Sequence, residues 1–239
     1  MKILSVGNSF SCDATRYLNQ LASHTNTQLL SENLYIGACS LQMHYTNLLS
    51  NEEAYELQVH GQCVYKTSLK DALVKHEWDY ITLQQASHLS GDYTTYQPYL
   101  NELVRQIRIL CPKAKLVIHQ TWAYENGSDR LKSMTCYENH MQMFEALKKA
   151  YDCAAEEIHA DGMIRSGELM VRLVKNGLSK AYRDTFHASL GAGRYALALL
   201  WYKFFTGKCM DNIDFDMFDE PISQQEIAII KKSVNETCQ

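Results

Sequence analysis

A serine near the start of the chain and a histidine near its end are the residues best placed for nucleophilic chemistry. Ser9 closes the run MKILSVGNS, in which Ile3, Leu4 and Val6 read as a buried strand and Gly7 permits a sharp turn. From Asp13 onward, Ala14, Tyr17, Leu18, Leu21 and Ala22 fall on one helical stripe. A hydroxyl between the carboxyl end of a parallel strand and a helix N-terminus stands where open α/β sheets bind ligands. Far along the chain, Asp184-Thr-Phe-His187 sets an imidazole three residues after a carboxylate, a base with an orienting partner. Serine early and Asp-x-x-His late read together as the parts of a hydrolase. Ser9 has a plainer reading as a helix cap, although Ser11 and Asp13 are better placed for that.

The elements that must position these residues alternate. Apolar runs at Lys2–Val6, Gln28–Ile36, Asp79–Leu83, Lys115–His119 and Glu157–Ala160 predict five strands, with helices over 13–24, 68–76, 96–110 and 136–154. Cys111-Pro112 forbids continuation of the third helix. This pattern predicts a three-layer α/β/α sandwich around a central, mostly parallel five-stranded sheet in a flavodoxin-like order. Two segments fall outside it. A hairpin is predicted within 51–67, its arms Glu56–His60 and Cys63–Lys66 joined by a Gly61-Gln62 turn. After Gly207 an acidic stretch (Asp211, Asp214, Asp216, Asp219, Glu220) leads through Pro221 to an amphipathic helix over 222–235. That helix either packs on the body or makes a subunit contact in a homo-oligomer. No repeat or linker divides residues 1–239, so a single domain is expected.

Composition removes several function classes. The chain has 239 residues, 46% of them hydrophobic, and a net charge of −4. That supports a sizeable core but supplies none of the basic clustering that nucleic acid requires. No apolar run reaches the length of a membrane span. Lys2 is followed by a short apolar stretch broken at Gly7 and Asn8, which predicts no secretory leader and a cytoplasmic location. The eight cysteines are scattered without a C-x-x-C pair, and the histidines lack metal-ligand spacing, so reduced thiols and no metal are expected. Neither phosphate-cradling glycine motif occurs, and no cofactor is expected.

GNSFS at positions 7–11, the isolated Gly37 after the second strand, Gln84-Gln85 after the third and Asp184-x-x-His187 resemble the four blocks of the SGNH, or GDSL-type, serine hydrolases. The likeness spans residues 3 to about 206 and is with the bacterial branch whose first block reads GNSFS; WDYITLQ at 78–84 and QTWAY at 120–124 belong to it as well. The resemblance implies that Ser9 is a nucleophile toward ester carbonyls, His187 its general base and then acid, and Asp184 the group that orients the imidazole. It further implies an oxyanion hole made by the backbone N–H groups of Ser9 and Gly37 and one side-chain amide. The third block departs from the family pattern, since Ala86 falls where an asparagine is usual. Gln84 or Gln85 is the expected amide donor in its place.

Trp122 and Tyr124 lie just beyond the fourth strand, on the ligand-facing edge by topology, and read either as platforms for a sugar ring or as core aromatics. The expected activity is hydrolysis of small O-acyl esters, acetyl groups on carbohydrate above all, through an acyl-serine. The carbohydrate part comes from the resemblance alone. An acyltransferase would use the same residues, and a sugar-binding protein with a decayed site is the non-enzymatic alternative.

Overall fold

The computed structural model describes residues 1–210 and 213–238; Asp211 of the predicted acidic stretch lies outside them. In chain order the strands are β1 (Lys2–Gly7), β2 (Leu30–Tyr35), β3 (Tyr55–Val59), β4 (Gln62–Thr67), β5 (Tyr80–Leu83), β6 (Lys115–Gln120) and β7 (Gly162–Arg165). The helices are α1 (Ser9–Thr15), α2 (Leu18–His24), α3 (Leu41–Ser50), α4 (Leu69–Val74), α5 (Tyr99–Leu110), α6 (Asp129–Lys132), α7 (His140–Glu157), α8 (Ser166–Lys175), α9 (Ala192–Thr206) and α10 (Gln224–Thr237).

Among the described residues one mixed sheet runs β4-β3-β2-β1-β5-β6-β7. Its parallel part, β2-β1-β5-β6-β7, follows the doubly wound order in which the chain reverses direction beside β1. Every residue of β1 after Lys2 is buried, as a strand covered on both faces requires. Helices flank the sheet: α1, α2, α8 and α10 gather on α9, while α3 packs with α4 and α5 and α7 lies against β6. No helix among the described residues is long and apolar enough to cross a membrane.

Several expectations need correction. The sheet has seven strands rather than five, because the hairpin joins it edge-on, β3 antiparallel to β2. Its turn is His60-Gly61, with φ of 56° and 71°, the left-handed pair that a tight hairpin prefers, rather than Gly61-Gln62. The last strand is Gly162–Arg165 instead of Glu157–Ala160, since α7 continues through the helix-forming run Ala154-Ala-Glu-Glu157. The first helix begins at Ser9, four residues before the apolar stripe suggested, and breaks between Thr15 and Leu18. Helices α3 and α8 and the single turn of α6 were not anticipated.

Candidate active site

Gly7 and Asn8 build the turn that presents Ser9. A side chain at Gly7 would collide with Ser11, whose Oγ would lie 2.3 Å from the added carbon, so only glycine lets the chain double back there. Asn8 is the cap of α1: its Oδ1 accepts from the Phe10 N–H at 3.0 Å, and Ser11 Oγ accepts from the Asn8 N–H at 3.0 Å. The capping task that could have occupied Ser9 is therefore done by Asn8. As the first helical residue, Ser9 also has a backbone N–H without an acceptor inside the helix.

The second component is the loop between α8 and α9. His187 Nδ1 donates to Asp184 Oδ2 at 2.7 Å, and the His187 N–H donates to Asp184 Oδ1 at 2.9 Å. A carboxylate only accepts, so this contact places the ring proton on Nδ1 and leaves Nε2 as an acceptor. The Ser9 hydroxyl lies 2.8 Å from Nε2. Burial pushes the Asp184 carboxyl up, but the His187 hydrogen bonds, its charge and that of Arg183 outweigh it and hold the pKa below the ordinary value.

Chain ends this far apart are held together by a buried carboxylate that the sequence reading treated as a candidate cap. Asp13, on α1, accepts from Arg183 Nη1 at 2.9 Å, from Arg194 Nε at 2.8 Å and from the Ala188 N–H at 3.2 Å. The helix carrying Ser9 is thus clipped to both sides of the histidine loop. The loop is also pinned from β6's following segment: Trp122 Nε1 donates to the Phe186 carbonyl at 2.7 Å and the Glu125 N–H to that of Thr185 at 2.7 Å. Between Asp184 and His187, Thr185 sits at φ 74°, a left-handed conformation that a β-branched residue adopts only when its surroundings impose it.

Gly37 is exposed in the loop after β2, next to Ala38, which takes the positive φ of 53°. Asn8 Nδ2 donates to the Cys39 carbonyl at 3.1 Å and so ties this loop to the Ser9 turn. The two glutamines expected to supply an amide donor are both turned inward. Gln84 is buried, its Nε2 donating to Asn8 Oδ1 at 2.7 Å and its Oε1 facing His119 Nδ1 at 2.7 Å. Gln85 is equally buried; its Nε2 donates to the Thr95 carbonyl at 3.0 Å and its Oε1 accepts from the Leu41 and Ala86 N–H groups. Gln85 thus commits both amide N–H groups to Thr95, and Gln84 commits one to Asn8. His119, for its part, reaches Ser166 Oγ at 3.1 Å, and burial drives its pKa down to about 3, so it is a neutral link in a buried chain.

Of the two readings of Trp122 and Tyr124, the core one holds and the substrate platform is corrected, because both are fully buried. Trp122 packs on Phe10 with ring centroids 4.2 Å apart, a wedge between the serine helix and the histidine loop. The Tyr124 hydroxyl pairs with Ser87 Oγ at 3.0 Å. Of the residues the sequence reading missed, Asn8 had a signal in its cap position before a helix; Asp13, Arg183 and Arg194 had none that is local. No group of His, Cys, Asp and Glu among the described residues could hold a metal ion. A hollow of about 600 Å³ lined by Tyr195, Phe215 and Ile222, among others, contains no residue of this site.

On this α/β sandwich a hydroxyl, an imidazole and a carboxylate thus stand in one hydrogen-bonded line beyond the carboxyl end of β1. Over residues 2–236 the chain matches the family described as a domain of unknown function, DUF4886, and it belongs to that family. A DUF4886 family protein from Bacteroides uniformis is 30% identical, with a TM-score of 0.90 over 100% of this chain and 94% of that one. A proposed SGNH hydrolase from Slackia heliotrinireducens is 21% identical, TM-score 0.62, over 86% and 98% of the two chains. An acetylxylan esterase from Geobacillus stearothermophilus is 11% identical, TM-score 0.52, over 90% and 94%. The last two likenesses are of fold alone. No curated protein matches the sequence.

Proposed function

We propose that this protein is a serine esterase acting on small O-acyl esters, with acetyl esters of carbohydrate as the leading substrate class. The observation that carries the reading is the continuous hydrogen-bonded line from Ser9 Oγ through the His187 ring to Asp184. Nothing in a helix cap or a core histidine calls for that line. The carbohydrate assignment is supported by the sequence resemblance and, more distantly, by a fold shared with acetylxylan esterases.

In this reading Ser9 Oγ adds to the ester carbonyl carbon while its proton passes to His187 Nε2. Asp184 stabilises the resulting imidazolium without taking the proton itself. The oxyanion is met by N–H groups of the Ser9 turn and the Gly37 loop. With the glutamine amides engaged elsewhere, the backbone supplies these donors, and it is already fixed before charge develops. Collapse expels the alcohol, which leaves with the proton from His187, and an acetyl group remains on Ser9. Water then attacks, giving up a proton to His187, and the carboxylic acid departs as Ser9 is reprotonated.

Ser9→Ala is expected to lower turnover of p-nitrophenyl acetate by roughly 10³-fold or more. Wild type, but not the variant, is expected to be labelled by a fluorophosphonate. Undiminished turnover in the variant, or an unlabelled wild-type serine, overturns the proposal.

A further inference from the structure

Arg130 lies on α6, in the segment that crosses the carboxyl edge of the sheet after β6. The centre of its guanidinium is 4.5 Å from the centroid of the Phe186 ring and 5.5 Å from that of Tyr124. The Phe186 ring is itself 3.9 Å from the His187 ring. One aromatic side chain therefore touches both the cation and the imidazole that faces Ser9. A cation–π contact of this kind holds the guanidinium by its ring partners and leaves its N–H groups free to take an oxyanion.

The charge is also uncommitted. Among the described residues no carboxylate stands within ion-pair distance of Arg130, whereas its neighbours Asp129 and Lys132 pair with each other at 3.2 Å. His88, exposed on the loop after β5, is close enough to feel it: residual burial first, and then the charge of Arg130, hold the His88 pKa below its ordinary value. At neutral pH the rim here presents one fixed positive charge beside a neutral imidazole.

We infer that the site selects esters carrying a negatively charged group, a carboxylate or phosphate, close to the scissile bond, and that Arg130 is the residue that recognises it. This rests on the esterase reading above and adds the substrate class. A planar guanidinium grips such groups through two parallel N–H bonds, which fixes the direction from which the ester approaches Ser9.

Two matched pairs of esters test it. Mono-4-nitrophenyl adipate against 4-nitrophenyl hexanoate places the charge on the acyl side; 3-acetoxybenzoate against phenyl acetate places it on the alcohol side. In one pair the wild type is expected to favour the anionic member in kcat/KM. Arg130→Gln should lower that ratio about tenfold, chiefly through KM, Arg130→Lys should retain part of it, and added salt should erode it. No anionic preference in either pair, or a preference that Arg130→Gln leaves unmoved, overturns the inference and leaves the esterase reading standing. Absence of turnover with all four esters overturns both.

Discussion

Asp184 is the exposed member of the line, its side chain 44% accessible against 16% for His187, yet it grips the histidine twice, at the ring and at the backbone. Asp184→Asn keeps the size of the group but can turn an N–H toward the ring, favouring the tautomer that has no acceptor for the Ser9 proton. Its turnover of p-nitrophenyl acetate is expected to fall on the order of 10⁴-fold; a loss of less than about tenfold would mean that Asp184 does not set the tautomer. The carboxyl's lowered pKa fixes the sign with pH. The stabilising pair is fully formed above the ordinary carboxylate range and is lost only as pH falls through the lowered value, so the carboxylate stays charged from pH 5 to 8. At this scale the sequence was legible where chemistry is local: a serine after a strand, and a carboxylate three residues from an imidazole. It was illegible where partners lie far apart, as with Asp13 and Arg183. Gln84 and Gln85 show the other limit, since a sequence places an amide on a loop without saying which way it points.

Between the elements, Gln84 joins β5 to the caps and loops around it: His119 on β6, the Asn8 cap of α1, and through Asn8 the Cys39 carbonyl of the β2–α3 loop. On the esterase reading it is a positioning residue that aligns two N–H-bearing turns. Gln84→Met, similar in volume but without the amide, is expected to lower kcat roughly ten- to a hundredfold with KM little changed, and to slow fluorophosphonate labelling in step. A fall in thermal stability alone, with labelling rate intact, would reduce Gln84 to a packing role. Strands β1, β5 and β6 could be anticipated because each is largely an apolar run, buried along all but its first residue. The hairpin was set apart because β4 shows solvent almost its whole length and carries little apolar signal. Helix α3 escaped for a related reason: its buried face includes His44 and Asn47, which no hydrophobic stripe would reveal. Helix α8 escaped because the last strand was drawn too early, over Glu157–Ala160, and nothing was assigned between it and the histidine loop.

Across the whole molecule, two imidazoles are buried in neutral form, His44 and His119, each with its pKa driven by burial from 6.5 to about 3. The unfolded chain binds protons at both positions as pH drops below 6.5, and the folded chain does not. Their neutral burial therefore costs nothing above that pH, and stability declines as pH falls from 6.5 toward 3. Urea unfolding is expected to show a lower midpoint at pH 5 than at pH 7.5, with an uptake of nearly two protons from these residues. His119→Gln should remove about one of them; a pH-independent midpoint would contradict the burial of both rings.

The separation of 178 residues between Ser9 and His187 carries a consequence for synthesis. A nascent chain that has emerged only as far as β6 holds its serine as an ordinary alcohol, with neither base nor Asp13 clip engaged. On the esterase reading, Ser9 gains its base only when the segment from Arg183 to Arg194 docks against α1. Tethered ribosomal intermediates should accordingly stay dark to a fluorophosphonate until that final segment clears the exit tunnel.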